Sequence, residues 1–305
     1  MALRSERVLI TGGGGFTGRP LTERLRESGY DVVSLSRDAP DPHALNADLC
    51  DFGATAQALS ESRPSAVIHL AGIAAPSHGN IGDIYAANVT GTANLFAALE
   101  LAKIKPRIVI VASSAQVYAV PDSEVAITEE RALAPKTHYA VSKRATEEIA
   151  AIYSRQFPII VTRPFNYTGP GQTTSFLVPK IVQHYAEQRR EIRLGNLDLY
   201  RDFSDIRRVV EAYSRLLFSP IGPTTLNICS GRAIHLADIL TMMDEISGYP
   251  MRVVTDPSLV RTNETRSIVG STSRLEAAIG PLPNPEFRET LTQMYEVVRR
   301  GLRNT

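Results

Sequence analysis

The chain has 305 residues, enough for a full hydrophobic core in one large domain or in a domain plus a lobe. Hydrophobic residues make up 43% and charged residues 21%, which excludes a disordered chain, and the formal net charge of +1 with dispersed Lys and Arg argues against nucleic-acid or anionic-membrane partners. Cys50 and Cys229 form no disulfide framework or Cys/His metal spacing, and the histidines form no HExxH pattern, so no protein-bound catalytic metal is expected.

The opening run MALRSERVLITGG has no apolar signal core, and no segment approaches the roughly 18 apolar residues of a membrane span. The cytoplasm is the expected compartment. Arg7–Thr11 (RVLIT) reads as a strand and 15–28 as an amphipathic helix. Asp31–Ser36 is the next strand, followed by 66–70 and 107–112, with helical apolar spacing over 80–103 between those two. Continuous apolar strands alternating with helices predict an α/β fold of Rossmann type, a doubly wound parallel sheet covered on both faces. After Phe165, Gly and Pro punctuate more often (TGPGQ, SPIGP, GPLPNP). Residues 1–165 therefore read as the dinucleotide-binding domain and 166–305 as a smaller substrate lobe, some of whose segments return to the main sheet. The loop 168–175 is the expected boundary or hinge.

Between the first strand and helix lies Thr11-Gly-Gly-Gly-Gly-Phe-Thr-Gly18. Gly13, Gly15 and Gly18 fit G-x-G-x-x-G, and Gly12, Gly15 and Gly18 fit G-x-x-G-x-x-G. In either frame, residues without Cβ let the backbone approach a pyrophosphate, at a helix N-terminus that favours negative charge. Phe16 and Thr17 belong to the same turn. A plain glycine loop is the alternative, disfavoured by the strand before and the helix after. The second strand ends in Ser36-Arg37 where an acidic residue would hold the ribose of NAD. A hydroxyl and a guanidinium suit the 2′-phosphate of NADP, so NADP(H) is expected over NAD(H).

Tyr139 and Lys143 stand one turn apart on a helical pattern, THYAVSKRATEEIA. A phenol is a weak acid–base group at neutral pH, and a nearby ammonium is expected to lower its pKa. Ser114, at the carboxyl end of an apolar strand, would hydrogen-bond the same carbonyl oxygen that Tyr139 protonates. Ser113 is the alternative donor, with Ser114 preferred on position.

These residues, with Gly12–Gly18, His69-Leu-Ala-Gly72, Asn88-Val-Thr-Gly-Thr92 and Ser113-Ser-Ala-Gln-Val-Tyr118, make the chain resemble the extended short-chain dehydrogenases/reductases over nearly its whole length. The resemblance implies catalytic Ser114, Tyr139 and Lys143. It places Asp48 and Leu49 at the adenine, has Leu70, Ala71 and Gly72 line the cofactor, and makes Asn88 a mid-helix structural residue near the site. On the residues alone, Asp48 reads as a turn former and Asn88 as a surface residue. Homodimerisation through 80–103 and 137–155 is a family expectation.

Dehydratases of this family carry an acidic pair just after the catalytic hydroxyl. Here Ala115 and Gln116 stand there, and neither can move the protons that loss of water requires. Simple 4-keto reduction or 4-epimerisation remains. Segments 163–172, 194–213 and 227–231 resemble the branch acting on GDP-mannose and its 4-keto-6-deoxy derivative. By that pattern, Asn166, Lys180 and Asn196 contact nucleotide or sugar, Arg201 and Arg261 hold the pyrophosphate, and Glu264 holds the guanosine ribose. Two guanidinium groups suit a diphosphate. The ordinary alternatives are a surface ion pair between Arg201 and Asp202, and a turn role for Asn196. Gly280-Pro-Leu-Pro-Asn-Pro285 replaces the Trp-Lys-Pro-like segment common in the family. The expected reaction is NADPH reduction of a GDP-linked 4-keto-6-deoxy sugar, to GDP-D-rhamnose or its C4 epimer. An NAD-dependent 4-epimerase, a UDP- or dTDP-sugar reductase and a non-catalytic NADP sensor are the alternatives.

Overall fold

Strands buried on both faces must send alternate side chains into two different cores, and this chain does so. The computed structural model describes residues 6–37, 44–74, 80–119, 125–260 and 265–303. Strand β1 (Arg7–Thr11) points Val8 and Ile10 to one face of its sheet and Leu9 to the other. Strand β4 (Ala66–His69) sends Ala66 and Ile68 one way and Val67 the other; β5 (Val109–Ala112) splits Ile110 from Val109 and Val111. Each fully buried aliphatic side chain of this kind contributes about 1.5–3 kcal/mol.

These strands join β2 (Asp31–Ser36), β3 (Ala44–Asn46), β6 (Ile159–Pro164) and β10 (Thr224–Ile228) in a seven-stranded sheet of order β10-β6-β5-β4-β1-β2-β3. Every pairing is parallel. The order reverses between β1 and β4, which opens a ligand crevice at the carboxyl ends of those strands. Helix α1 (Gly18–Glu27) and α7 (Ile206–Leu216) contribute to the core on one face. Helices α2 (Phe52–Ser62), α4 (Gly91–Leu101) and α5 (His138–Tyr153) contribute to the core on the other.

The helical spacing over 80–103 resolves into three pieces rather than one helix. Asn80 caps α3 (Ile81–Tyr85) by accepting from the Gly82 N–H, a π-helical turn runs over Ala86–Thr90, and α4 follows. The wide turn places the Asn88 carbonyl where the hydroxyls of Thr92 (2.6 Å) and Thr146 (3.0 Å) both reach it. The first helix likewise begins at Gly18 rather than residue 15, because 12–17 form the turn.

The third core belongs to the lobe, with α6 (Leu177–Ala186), β8 (Glu191–Leu194), α8 (Leu236–Ser247) and α9 (Phe287–Arg303) among its contributors. Strand β9 (Tyr200–Asp205) is the lobe's centre; it pairs with β7 (Asn166–Thr168), β11 (Ala233–His235) and β12 (Ser267–Ile268). Between its lobe segments the chain crosses back: α7 and β10 complete the first sheet, and Leu275 and Leu282 join its core. Among the described residues, no helix is long and apolar enough to cross a membrane, and no group of three or more His, Cys, Asp and Glu could hold a metal ion.

Candidate active site

The glycine turn leaves no room for a Cβ at Gly12, Gly13 or Gly18. Gly12 has φ +73, and a Cβ there would lie 2.8 Å from backbone atoms of Ala71. A Cβ on Gly18 would collide with the Gly12 carbonyl, and one on Gly13 with the Ser34 hydroxyl. Both glycine frames therefore answer to real close approaches. Beside the turn, Leu70 N–H donates to the Thr11 carbonyl (3.1 Å) and Ala71 N–H to the Thr11 hydroxyl (3.2 Å). At the end of β2, the Ser36 hydroxyl oxygen is buried with no hydrogen-bond partner among the described residues, next to exposed Arg37. A dinucleotide fits this chain on two counts: a turn too tight for a Cβ at Gly12, Gly13 or Gly18, and an orphaned hydroxyl at the strand end that faces a ribose in doubly wound folds. Asp48 accepts from the Cys50 N–H (2.9 Å) in a turn, and the Leu49 carbonyl accepts from Asn94 (2.7 Å).

Asn88 is buried at 1% exposure, not on the surface as its residue type alone suggests. Its amide accepts from the Ile73 N–H (2.8 Å) and donates to the Ile73 carbonyl (3.2 Å) and the Ser142 hydroxyl (2.9 Å). Ser142 in turn donates to the Tyr139 carbonyl (2.7 Å). Gly72 sits against this cluster: a Cβ there would lie 2.5 Å from Asn88 Oδ1 and 3.4 Å from Lys143 Nζ. One polar chain thus connects the Leu70–Gly72 loop to the helix carrying Tyr139 and Lys143.

His69 extends it. Thr92 donates to the Asn88 carbonyl, so it must accept from His69 Nε2 (2.9 Å); Nδ1 then accepts from the Thr11 hydroxyl (2.7 Å). The ring is neutral in this tautomer, its pKa pulled down to about 3 by burial and by nearby Lys143. In the sequence His69 stands out only as part of the His69-Leu-Ala-Gly72 motif. Its partners lie far along the chain, and only the paired Thr11 and Thr92 hint at it.

Ser114, Tyr139 and Lys143 come together, each under 10% exposed. Thr137 caps α5 and so fixes where Tyr139 begins its first turn. The Tyr139 hydroxyl hydrogen-bonds the Ser114 side chain, which also accepts from the Gln116 N–H (3.2 Å). Ser113 turns away and donates to Glu147 (2.6 Å). Lys143 Nζ donates to the Ala112 carbonyl (2.8 Å). The expectation that an ammonium lowers the phenol's pKa is corrected. Burial pushes Tyr139 up to about 12, against the Ser114 bond, while burial pulls Lys143 down to about 8, against Glu147. Desolvation outweighs the helical spacing, and the phenol rests protonated.

Sequence reading also missed the group behind the site. Arg163 grips Glu147 through two bonds (2.8 and 2.7 Å), both side chains 7% exposed, and lies over the Tyr118 ring at 4.8 Å. Glu147 thereby ties α5 to the ends of β5 and β6. Breaking such a buried pair costs about 3–5 kcal/mol.

The lobe residues are less concentrated. Asn166 is exposed on β7 and donates to the Asp202 carbonyl (3.3 Å). Lys180 on α6 donates to the Arg193 carbonyl (3.2 Å), and Asn196 accepts from the Asp198 N–H (3.0 Å) in an exposed turn. Arg201 on β9 donates to the carbonyls of Tyr200 (2.8 Å) and Thr265 (2.9 Å). Asp202 is not a surface ion: at 0% exposure it accepts from the backbone of Ser230, Gly231 and Gly270 and from the Ser230 hydroxyl. Arg261 and Glu264 lie outside the described residues.

A doubly wound dinucleotide fold, with a serine, a tyrosine and a lysine gathered at the carboxyl ends of its strands, defines the class. Residues 8–229 match the model of the NAD dependent epimerase/dehydratase family, and the chain belongs to that family, in the extended short-chain dehydrogenase/reductase group. It is 30% identical to a GDP-6-deoxy-D-talose 4-dehydrogenase of Aggregatibacter actinomycetemcomitans, over 95% of this chain and 97% of the relative. It is also 30% identical to a GDP-6-deoxy-D-mannose reductase of Pseudomonas aeruginosa, over 94% and 95%. Among solved structures, RMD from Pseudomonas aeruginosa complexed with NADPH superposes with TM-score 0.87 at 29% identity, covering 97% of this chain and all (100%) of that one.

Proposed function

We propose that this protein reduces the C4 ketone of GDP-4-keto-6-deoxy-D-mannose with NADPH, giving GDP-D-rhamnose or its C4 epimer GDP-6-deoxy-D-talose. The observation that carries the reading is geometric: buried Ser114, Tyr139 and Lys143 converge at the carboxyl ends of the strands, with no acidic pair after Ser114. Tyr139 is held as a neutral phenol against Ser114, the form that gives a proton to a forming alkoxide, and the 3₁₀ turn after Ser114 holds Ala115 and Gln116 where elimination of water would need carboxylates. The two GDP-sugar relatives support the choice of substrate.

Gly12, Gly15, Phe16, Thr17, Gly18, Leu70, Ala71 and Gly72 would hold the dinucleotide, with Asp48 and Leu49 toward its adenine and Ser36 and Arg37 on its 2′-phosphate. When bound, the reduced dinucleotide supplies hydride. Tyr139 donates its proton to the sugar's C4 oxygen, and Ser114 stabilises the charge developing there. Lys143, fixed by the Ala112 carbonyl beside Gly72, offers its ammonium to ribose hydroxyls and to the phenolate left as the proton departs. Asn166, Lys180, Asn196, Arg201, Arg261 and Glu264 would contact the sugar nucleotide, the arginines matching its diphosphate. Exposed Leu101 on α4 and Ile152 on α5 support a homodimer through these helices.

Loss of nicotinamide absorbance with freshly made GDP-4-keto-6-deoxy-D-mannose tests the reaction. No loss with any 4-keto sugar nucleotide removes the reductase reading and leaves epimerisation, which uses the same three residues without net reduction. Proton NMR of the product assigns C4. Arg37→Asp should reverse the NADPH over NADH preference by about tenfold or more; an unchanged ratio rejects the 2′-phosphate role.

A further inference from the structure

Thr17 occupies the position from which a threonine hydroxyl ordinarily bonds back to the first turn of its helix, yet it makes no such bond. Its hydroxyl instead meets the Tyr167 hydroxyl at 2.9 Å, across 150 positions of sequence. The preceding residue is engaged by the same partner: the rings of Phe16 and Tyr167 stack with centroids 5.9 Å apart and planes 11° from parallel. Tyr167 is the middle residue of β7, paired with Ser204 of β9, the central strand of the lobe. The last two residues of the glycine turn before Gly18 are therefore fastened to the lobe's sheet.

The turn itself has little internal slack, because Gly12, Gly13 and Gly18 already lie in closest approach to their neighbours. Its orientation over the crevice is then set by what grips it from outside. We infer that Tyr167 is a positioning residue for the dinucleotide: by holding Phe16 and Thr17 from the lobe, it latches the glycine turn and sets how slowly the cofactor leaves. The inference rests on the dinucleotide-binding role of the turn and not on which sugar is reduced. Burial keeps the Tyr167 phenol protonated, so the pair is a neutral hydrogen bond that salt does not screen.

The test is the dissociation rate of NADPH, and of NADH, from the full chain without sugar, followed by nicotinamide fluorescence. Tyr167→Phe and Thr17→Val should each speed release about three- to tenfold, the effect of one lost hydrogen bond. The double variant should be no faster than the faster single, since both remove one interaction. Thr17→Ser keeps a hydroxyl and should release cofactor more slowly than Thr17→Val, a rescue that a merely packing role for residue 17 would not give. Tyr213→Phe is the control: its phenol shares the neighbourhood of Tyr139 and Tyr167 but bonds Thr162 (2.9 Å), so release should be unchanged. Release within twofold of the unaltered chain in Thr17→Val, multiplied effects in the double variant, or equal acceleration by Tyr213→Phe overturns the latch. Should Tyr167→Phe not fold, Tyr167→Leu, which also removes the hydroxyl, takes its place with the same expected acceleration and the same double variant with Thr17→Val. A chain that binds NADPH but oxidises none with 4-keto sugars fails as a reductase while the latch is still scored; one that binds neither dinucleotide sinks both.

Discussion

The glycine-turn half and the lobe half present their functional residues in opposite ways. In the first, backbone geometry forbids alternatives: Gly12 and Gly18 admit no Cβ, Asn88 and His69 are buried with named partners, and Ser114, Tyr139 and Lys143 converge from separate elements. In the lobe, Asn166 and Asn196 stand exposed, and Lys180 and Arg201 bond carbonyls that many side chains could serve. On the proposed reading, the chemistry is built into packing, whereas recognition of the sugar nucleotide falls to exposed side chains.

The contrast breaks first, if at all, at Tyr139. Tyr139→Phe should lower kcat about a hundred- to ten-thousandfold while leaving dinucleotide affinity nearly intact; a smaller loss would mean the proton comes from elsewhere. Gly18→Ala should weaken dinucleotide binding by about tenfold or more and lower the thermal midpoint, since overpacking of this kind costs about 1–3 kcal/mol. Lys143 sharpens the comparison through pH. Its ammonium, held down to about 8 by burial, is lost above that value, so the rate should fall roughly tenfold per unit there. Between about 8 and 10.5 the unfolded chain still binds the proton that the native state has released, so this group makes the fold more stable as pH rises. A thermal midpoint that drops in step with activity would therefore assign the decline to unfolding instead. The smallest effect is expected in the lobe: Arg201→Ala should raise KM for the sugar nucleotide about five- to tenfold with kcat preserved. An unchanged KM would leave Arg201 as an ordinary strand residue.

The sheet, the glycine turn and the Ser-Tyr-Lys spacing were legible because each is written in nearby residues: apolar runs, missing side chains, one helical turn. Ser114, placed ahead of Ser113 on strand position, is the serine that meets Tyr139, while Ser113 bonds Glu147. What stayed hidden are contacts between distant segments. The π turn leaves no mark in apolar spacing, and His69 needed Thr11 and Thr92 to be seen together. The Arg163–Glu147 grip and the Thr17–Tyr167 bond join segments that only the folded topology makes neighbours. The direction in which the Tyr139 phenol shifts was also misjudged, because helical spacing conveys proximity to a cation but not the loss of water around both groups.

The crossing of α7 and β10 back into the first sheet means the two halves cannot be parted with scissors. A gene trimmed after β6 would strip that strand's outer edge of its neighbour and uncover the apolar surface that Val209, Tyr213 and Leu216 now shield. Such a fragment would clump rather than survive as a miniature nucleotide binder, so exchange of lobes between relatives has to preserve this returning segment.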